Sequence, residues 1–155
     1  MENPPPAAPR LPPGPRPSEQ DDLIDALVQA SFTTMAVLTK VAAEHDLSLT
    51  QLRVLAILRD RRLRMAGLAE YLGLEKSTMT GLVDRAEKRG LLERAPSVAD
   101  RRAVDVFLSA EGLDLTERLY AQILRALSPM TTALVPAEQR RLQSLIERML
   151  GGSAA

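Results

Sequence analysis

The stretch that most constrains the fold of this 155-residue chain is residues 66–108, AGLAEYLGLEKSTMTGLVDRAEKRGLLERA followed by PSVADRRAVDVFL. Met79, Leu82, Val83 and Ala86 recur at i, i+3, i+4 and i+7, the spacing of one buried helical face. At about 100° per residue, Ser77, Gly81, Asp84, Arg85 and Lys88 fall on the opposite face. This predicts a helix over 75–89, ended by Gly90. A shorter helix over 66–72, with Leu68, Ala69 and Leu72 inward, precedes it, and Gly73 lies in the turn where a helix-turn-helix commonly carries glycine. The shorter helix has no Ser, Thr or Asp to cap it, since Met65 stands there. After Gly90, Leu91–Ala95 and Ala103–Leu108 predict a hairpin, the second strand alternating Val104, Val106 and Leu108 with Ala103, Asp105 and Phe107.

This arrangement has a chemistry. The face of the second helix is small at its start and basic toward its end, so the slim end suits a major groove and the cations behind it suit phosphates. The hairpin tip, PSVADRR, ends in two arginines. A hairpin placed there is a wing, and a wing arginine suits the narrow, negative minor groove of an A·T tract. Net charge is zero, but it is unevenly spread: residues 51–102 hold twelve basic and seven acidic side chains, while 1–50 hold three and seven. The positive excess sits on the segment that looks like a reader of double-stranded DNA.

The rest of the chain supports that segment. Residues 1–19 hold eight of the eleven prolines and form a solvated, polyproline-like or disordered tail. Residues 20–47 are dominated by a long helix, with Leu23, Leu27, Ala30, Thr34, Leu38 and Val41 close to a heptad seam. Asp21, Asp22 and Asp25 complement the dipole at its start. Such length outside the reading unit suggests pairing with a second copy. Residues 48–108 make the winged helix-turn-helix, opened by Ser48 or Thr50 as cap, with Ser48 and Gln51 fitting a capping box and Leu52, Leu55, Ala56 and Leu58 facing inward. The connector RDRRLRM carries Arg59, Arg61, Arg62 and Arg64, either a solvated run or a set of phosphate contacts. Residues 109–150 form two further helices. Ser109 caps one that carries Leu115, Leu119, Ile123, Leu124 and Leu127 to about Ser128, and Pro136 opens the other, with Leu142, Leu145, Ile146 and Met149 as its buried face. Residues 151–155 are a flexible tail. The fold class is mainly α, a winged helix-turn-helix with a two-stranded wing and terminal helices that form a dimerisation bundle.

Several function classes are excluded or disfavoured. No cysteine is present, which removes disulfides, thiol switches and cysteine zinc sites. Aromatic residues make up 3%, too few for base-stacking platforms. No stretch approaches the roughly 18 apolar residues of a membrane span, and the N-terminus lacks the apolar segment of a signal peptide, which favours a cytoplasmic protein. Nucleophile elbows, phosphate loops, paired-histidine metal motifs and dinucleotide fingerprints are absent, so no enzyme, cofactor or metal is expected. His45, the single histidine, suits a helix-end cation better than a metal ligand, with the lining of an effector pocket as a second reading. Tyr71 and Tyr120 suit packing or surface roles, and most methionines suit core filling. The competing functional reading is a winged helix used for protein contact or architecture.

With LTQLRVLAIL, LAEYLGLEKSTMTGLVDRAEKRGLLER and DRRAVDVFLSAEG in hand, residues 20–150 resemble the MarR family of bacterial winged-helix regulators. The resemblance implies a homodimer with interleaved terminal helices, a palindromic operator, repression of transcription, and release by a small aromatic or phenolic effector. It places Ser77, Thr78, Thr80 and Gly81 at the major groove and Arg85 and Lys88 on the DNA backbone; Lys76 joins the major-groove set, and Arg64 of the connector joins the backbone set. Arg101 and Arg102 fall on the wing arginines, with Asp100 as the acidic residue that orients one. Gly81 departs from the pattern, having no side chain where a long polar one would read bases, which shifts specificity toward Ser77, Thr78, Thr80 and DNA shape. The lack of cysteine leaves no oxidation switch of that kind.

Overall fold

The computed structural model describes residues 19–151. The proline-rich tail expected over 1–19 lies outside them but for its last residue, and the expected C-terminal tail lies outside them but for Gly151. In chain order the elements are α1 (Glu19–Ala43), α2 (Leu49–Ile57), β1 (Leu63–Arg64), α3 (Met65–Leu72), α4 (Lys76–Lys88), β2 (Leu92–Pro96), β3 (Val104–Leu108), α5 (Ala110–Thr131) and α6 (Pro136–Met149). Two compact units divide the chain at Thr33 and Thr34, within α1.

In the first unit, the described part of α1 carries Leu23, Ile24, Leu27, Val28 and Phe32, all exposed. Asp21–Ala43 as a whole is long and apolar enough to cross a membrane by length and composition. That corrects the expectation that no stretch approaches a span. Its Leu, Ile, Val, Phe, Met and Ala residues make the composition apolar, while Asp, Gln, Ser, Thr and Lys break it up, so there is no unbroken apolar run.

The second unit holds the core. Val41 and Ala42 of α1, Leu52, Val54 and Leu55 of α2, Leu68 and Ala69 of α3, and Leu115 and Leu119 of α5 join the inner face of α4 around it. Met79, Leu82, Val83 and Ala86 are all buried, as their spacing predicts. In α2 the inner face differs from expectation: Val54 is buried and Ala56 exposed, because the helix turns its Leu52–Leu55–Leu58 row inward and Val54 flanks that row. Ser48 caps α2 with the predicted box, its hydroxyl accepting from Gln51 N at 3.1 Å while Gln51 Oε1 accepts from Ser48 N at 2.8 Å. The start of α3 has no side-chain cap, also as predicted, and Gly73 closes it in the left-handed region at φ 63°.

The wing is larger than expected. β1 pairs antiparallel with β3, Leu63 opposite Val106 and Arg64 opposite Asp105, so the sheet has three strands in the order β1-β3-β2. Part of the arginine connector is therefore an edge strand, too short at two residues to show an alternating pattern in sequence. At the base of the wing, Ser109 Oγ accepts from Gly112 N at 2.9 Å and caps α5, while its own hydroxyl donates to Gly90 O. Gly112 seats directly on the Leu91 backbone: a Cβ there would lie 1.9 Å from Leu91 O. The helix runs on past the expected end near Ser128, through Pro129 to Thr131. No residue of α6 is buried, although Leu142, Leu145, Ile146 and Met149 were expected to be. The periodicity correctly marks an apolar face, but among the described residues nothing covers it.

Candidate nucleic-acid interface

Recognition-helix residues and wing residues meet in one open groove of about 600 Å³. Its walls include Arg64 from β1, Lys76 and Thr80 from α4, Arg94 and Pro96 from β2, and Arg102 from the wing turn. Four of those six were expected at the site from sequence; Arg94 and Pro96 were not. The cations converge because β1 hydrogen-bonds to β3 at the foot of the wing, which places Arg64 between the wing and α4.

At the start of α4, Ser77 and Thr78 are exposed in the first turn. Thr80 Oγ1 donates to Lys76 O at 2.8 Å, which leaves its lone pairs facing outward as acceptors. Further along, Gly81 is half-buried and Arg85 and Lys88 are exposed. The Arg85 side chain leans back toward the N-terminus of α4, its Nη1 3.4 Å from where a Gly81 Cβ would sit.

Arg94 is the residue the sequence reading missed. Its Nη2 donates to Asp84 Oδ1 at 2.7 Å, and its Nε donates to Glu87 Oε2 at 3.1 Å. These bonds, Glu87 first, hold the guanidinium firmly protonated, with a pKa raised above the usual arginine value. Asp84 is accordingly half-buried and tied to the wing rather than presented to a ligand. The available signal was an acidic pair at i and i+3 on a helix followed by a strand with one arginine.

In the wing turn Asp100 bonds to the backbone of the arginine it was expected to orient. Its Oδ1 accepts from the backbone N of Arg102 at 3.0 Å, and its carbonyl accepts from Ala103 N at 2.8 Å. Among the described residues no ion pair joins it to an arginine side chain. Asp100 thus shapes the turn through an Asx-type bond, and Arg101 and Arg102 extend exposed from that turn.

The connector arginines divide. Arg59 makes a two-pronged pair with Glu117, at 2.8 and 3.2 Å, and lies 4.1 Å from the Tyr120 ring centre. Arg61 pairs with Asp60 at 2.8 Å, which lowers the Asp60 pKa below the usual carboxylate value. Arg62 stacks on Phe107 at 3.8 Å. Only Arg64 lines the groove. His45 stands at the corner after α1, its Nε2 2.7 Å from Gln122 Oε1 on α5. The nearby cleft of about 380 Å³ is lined by Val37, Lys40, Glu44, Gln122 and Arg125, with His45 outside the lining. Among the described residues no group of three or more His, Cys, Asp or Glu could hold a metal.

A helix-turn-helix with its second helix open, a wing beside it and a basic groove between them define a winged-helix transcriptional regulator. A sequence profile of the MarR family matches residues 45–103. The HTH-type transcriptional regulator YfiV of Bacillus subtilis is 33% identical over 109 residues, covering 68% of each chain. The homoprotocatechuate degradative operon repressor of Escherichia coli is 27% identical over 131 residues, covering 84% of this chain and 88% of the repressor. The crystal structure of Rv1404 from Mycobacterium tuberculosis superposes with a TM-score of 0.73 at 26% identity, over 90% of this chain and 99% of that one. The chain belongs to the MarR family.

Proposed function

We propose that this regulator is a homodimeric repressor that binds a palindromic double-stranded DNA operator. The observation that carries the reading is the convergence of Arg64, Lys76, Thr80 and Arg102 on one groove between α4 and the wing. Lys76, Ser77, Thr78 and Thr80 enter the major groove, Arg64 and Lys88 hold phosphates, and Arg101 and Arg102 enter the adjacent minor groove. Asp100 keeps the wing turn in shape for them. The apolar stripe of α6, exposed along its whole length, supports pairing through the terminal helices. The apolar length of α1 is read in the same way, as a pairing seam in a cytoplasmic protein.

A small aromatic or phenolic effector is the regulatory part of the reading, supported by the relative that represses an operon for degrading homoprotocatechuate, itself a phenolic acid. Its relatives are transcriptional regulators, none of them an enzyme by name.

The test is selection from a random duplex pool, followed by titration of the best sequence against salt. A palindrome with half-sites about 10 bp apart supports the dimeric reader, and a steep fall of affinity with salt supports phosphate neutralisation. Weak, featureless binding would replace this reading with a protein-contact or architectural winged helix.

A further inference from the structure

We propose that Arg85, laid back over Gly81, reads a guanine in each operator half-site, an inference that rests on the DNA-reading function above. Ser77, Gly81 and Arg85 stand at i, i+4 and i+8 and form one row along α4. Long helical side chains lean toward the N-terminus and cover the turn before their own Cα. The Arg85 guanidinium accordingly occupies the surface over Gly81, and among the described residues its Nη1 is the one atom beyond the helix's own nearby backbone that a Gly81 Cβ would meet, at 3.4 Å.

Glycine inside a helix is costly, by about 1 kcal/mol relative to alanine, and Gly81 needs no positive φ. A Cβ at 81 would lie 3.4 Å from Arg85 Nη1, an ordinary contact, so the guanidinium lies directly over a stretch of helix surface that carries no side chain of its own. Sequence alone presents Gly81 as a missing reader. In the structure the missing side chain is replaced by one from the next turn, delivered flat along the helix face.

The charge pattern around Arg85 points the same way. Asp84 precedes it and Glu87 follows two residues on, yet both carboxylates bind Arg94 from β2. Among the described residues Arg85 makes no ion pair, so its fork of donors is left uncommitted. A guanidinium fork matches the O6 and N7 acceptors of guanine, the commonest specific contact in a major groove.

The experiment compares operator selection by the wild-type protein, Arg85→Ala and Gly81→Leu. Leucine puts a bulky side chain over position 81 while keeping the Arg85 charge, and its Cβ would meet only the Arg85 guanidinium, at 3.4 Å. The expected result is loss of one guanine preference per half-site in both variants, with the rest of the palindrome retained. On the preferred sequence, replacing that guanine by 7-deazaguanine removes N7 and should cost the wild type roughly tenfold in affinity, while costing Arg85→Ala nothing further. Retention of the guanine preference by either variant overturns the inference. So does a uniform loss across all sequences with a salt slope smaller by about one, the signature of a phosphate contact. A wild-type protein that selects no sequence overturns the operator reading itself and this inference with it.

Discussion

Helices α4 and α6 carry the same apolar spacing and meet opposite fates. Met79, Leu82, Val83 and Ala86 repeat at i, i+3, i+4 and i+7, and so do Leu142, Leu145, Ile146 and Met149. The α4 set is 0–8% exposed, and the α6 set is 41–59% exposed. Periodicity says that a helix has an apolar face; it does not say which molecule covers it. The face of α4 is satisfied inside the chain, whereas that of α6 calls for something outside it. A reading head that is complete in one subunit, joined to a helix that is not, is the design expected of a DNA reader that works in pairs.

That contrast can be broken at either end. Met79→Ala should cost about 2–5 kcal/mol of folding stability, measured by urea unfolding, because its side chain is fully buried in the α4 core. A cost near zero would mean that the α4 face is not the keystone described. The double variant Leu142→Glu with Ile146→Glu should leave helix content by circular dichroism unchanged. Its mass in solution should halve, and operator affinity should fall about a hundredfold as the second half-site becomes a separate binding event. A dimer that survives both charges removes α6 from the pairing surface. Ser48→Ala should lose about 1 kcal/mol through the broken capping box, with operator selectivity intact. Arg101→Ala with Arg102→Ala should leave the melting temperature unchanged while lowering operator affinity and reducing the salt slope by about two. A drop in melting temperature there would reassign the wing arginines to structure.

The sequence made legible whatever depends on neighbours within a few residues. The α4 face, the Ser48–Gln51 box, the uncapped start of α3 and the Gly73 turn all follow from local rules, and all stand in the structure. What escaped it depends on residues far apart in the chain. β1 exists only because Leu63 and Arg64 find Val106 and Asp105 some forty residues on. Arg94 has meaning only beside Asp84 and Glu87, which approach it through the packing of β2 against α4. Asp100 has the right residue type for an arginine partner, yet turn geometry commits its carboxylate to the backbone. Of the groove lining, the α4 and wing members were readable as motif positions. Arg64 was named from the arginine connector before α3, and only the structure separates it from Arg59, Arg61 and Arg62, which pair or stack elsewhere.

Gly112 has a mechanical consequence. Because no side chain separates α5 from the Leu91 backbone, and Ser109 bonds both ways across the same joint, that joint has no slack. The close seat of Gly112 on Leu91 and the two bonds of Ser109 tie α5 to the start of β2 at one point. Any compliance in α5 must then lie farther along, toward Pro129, where the hydrogen-bond ladder is already interrupted.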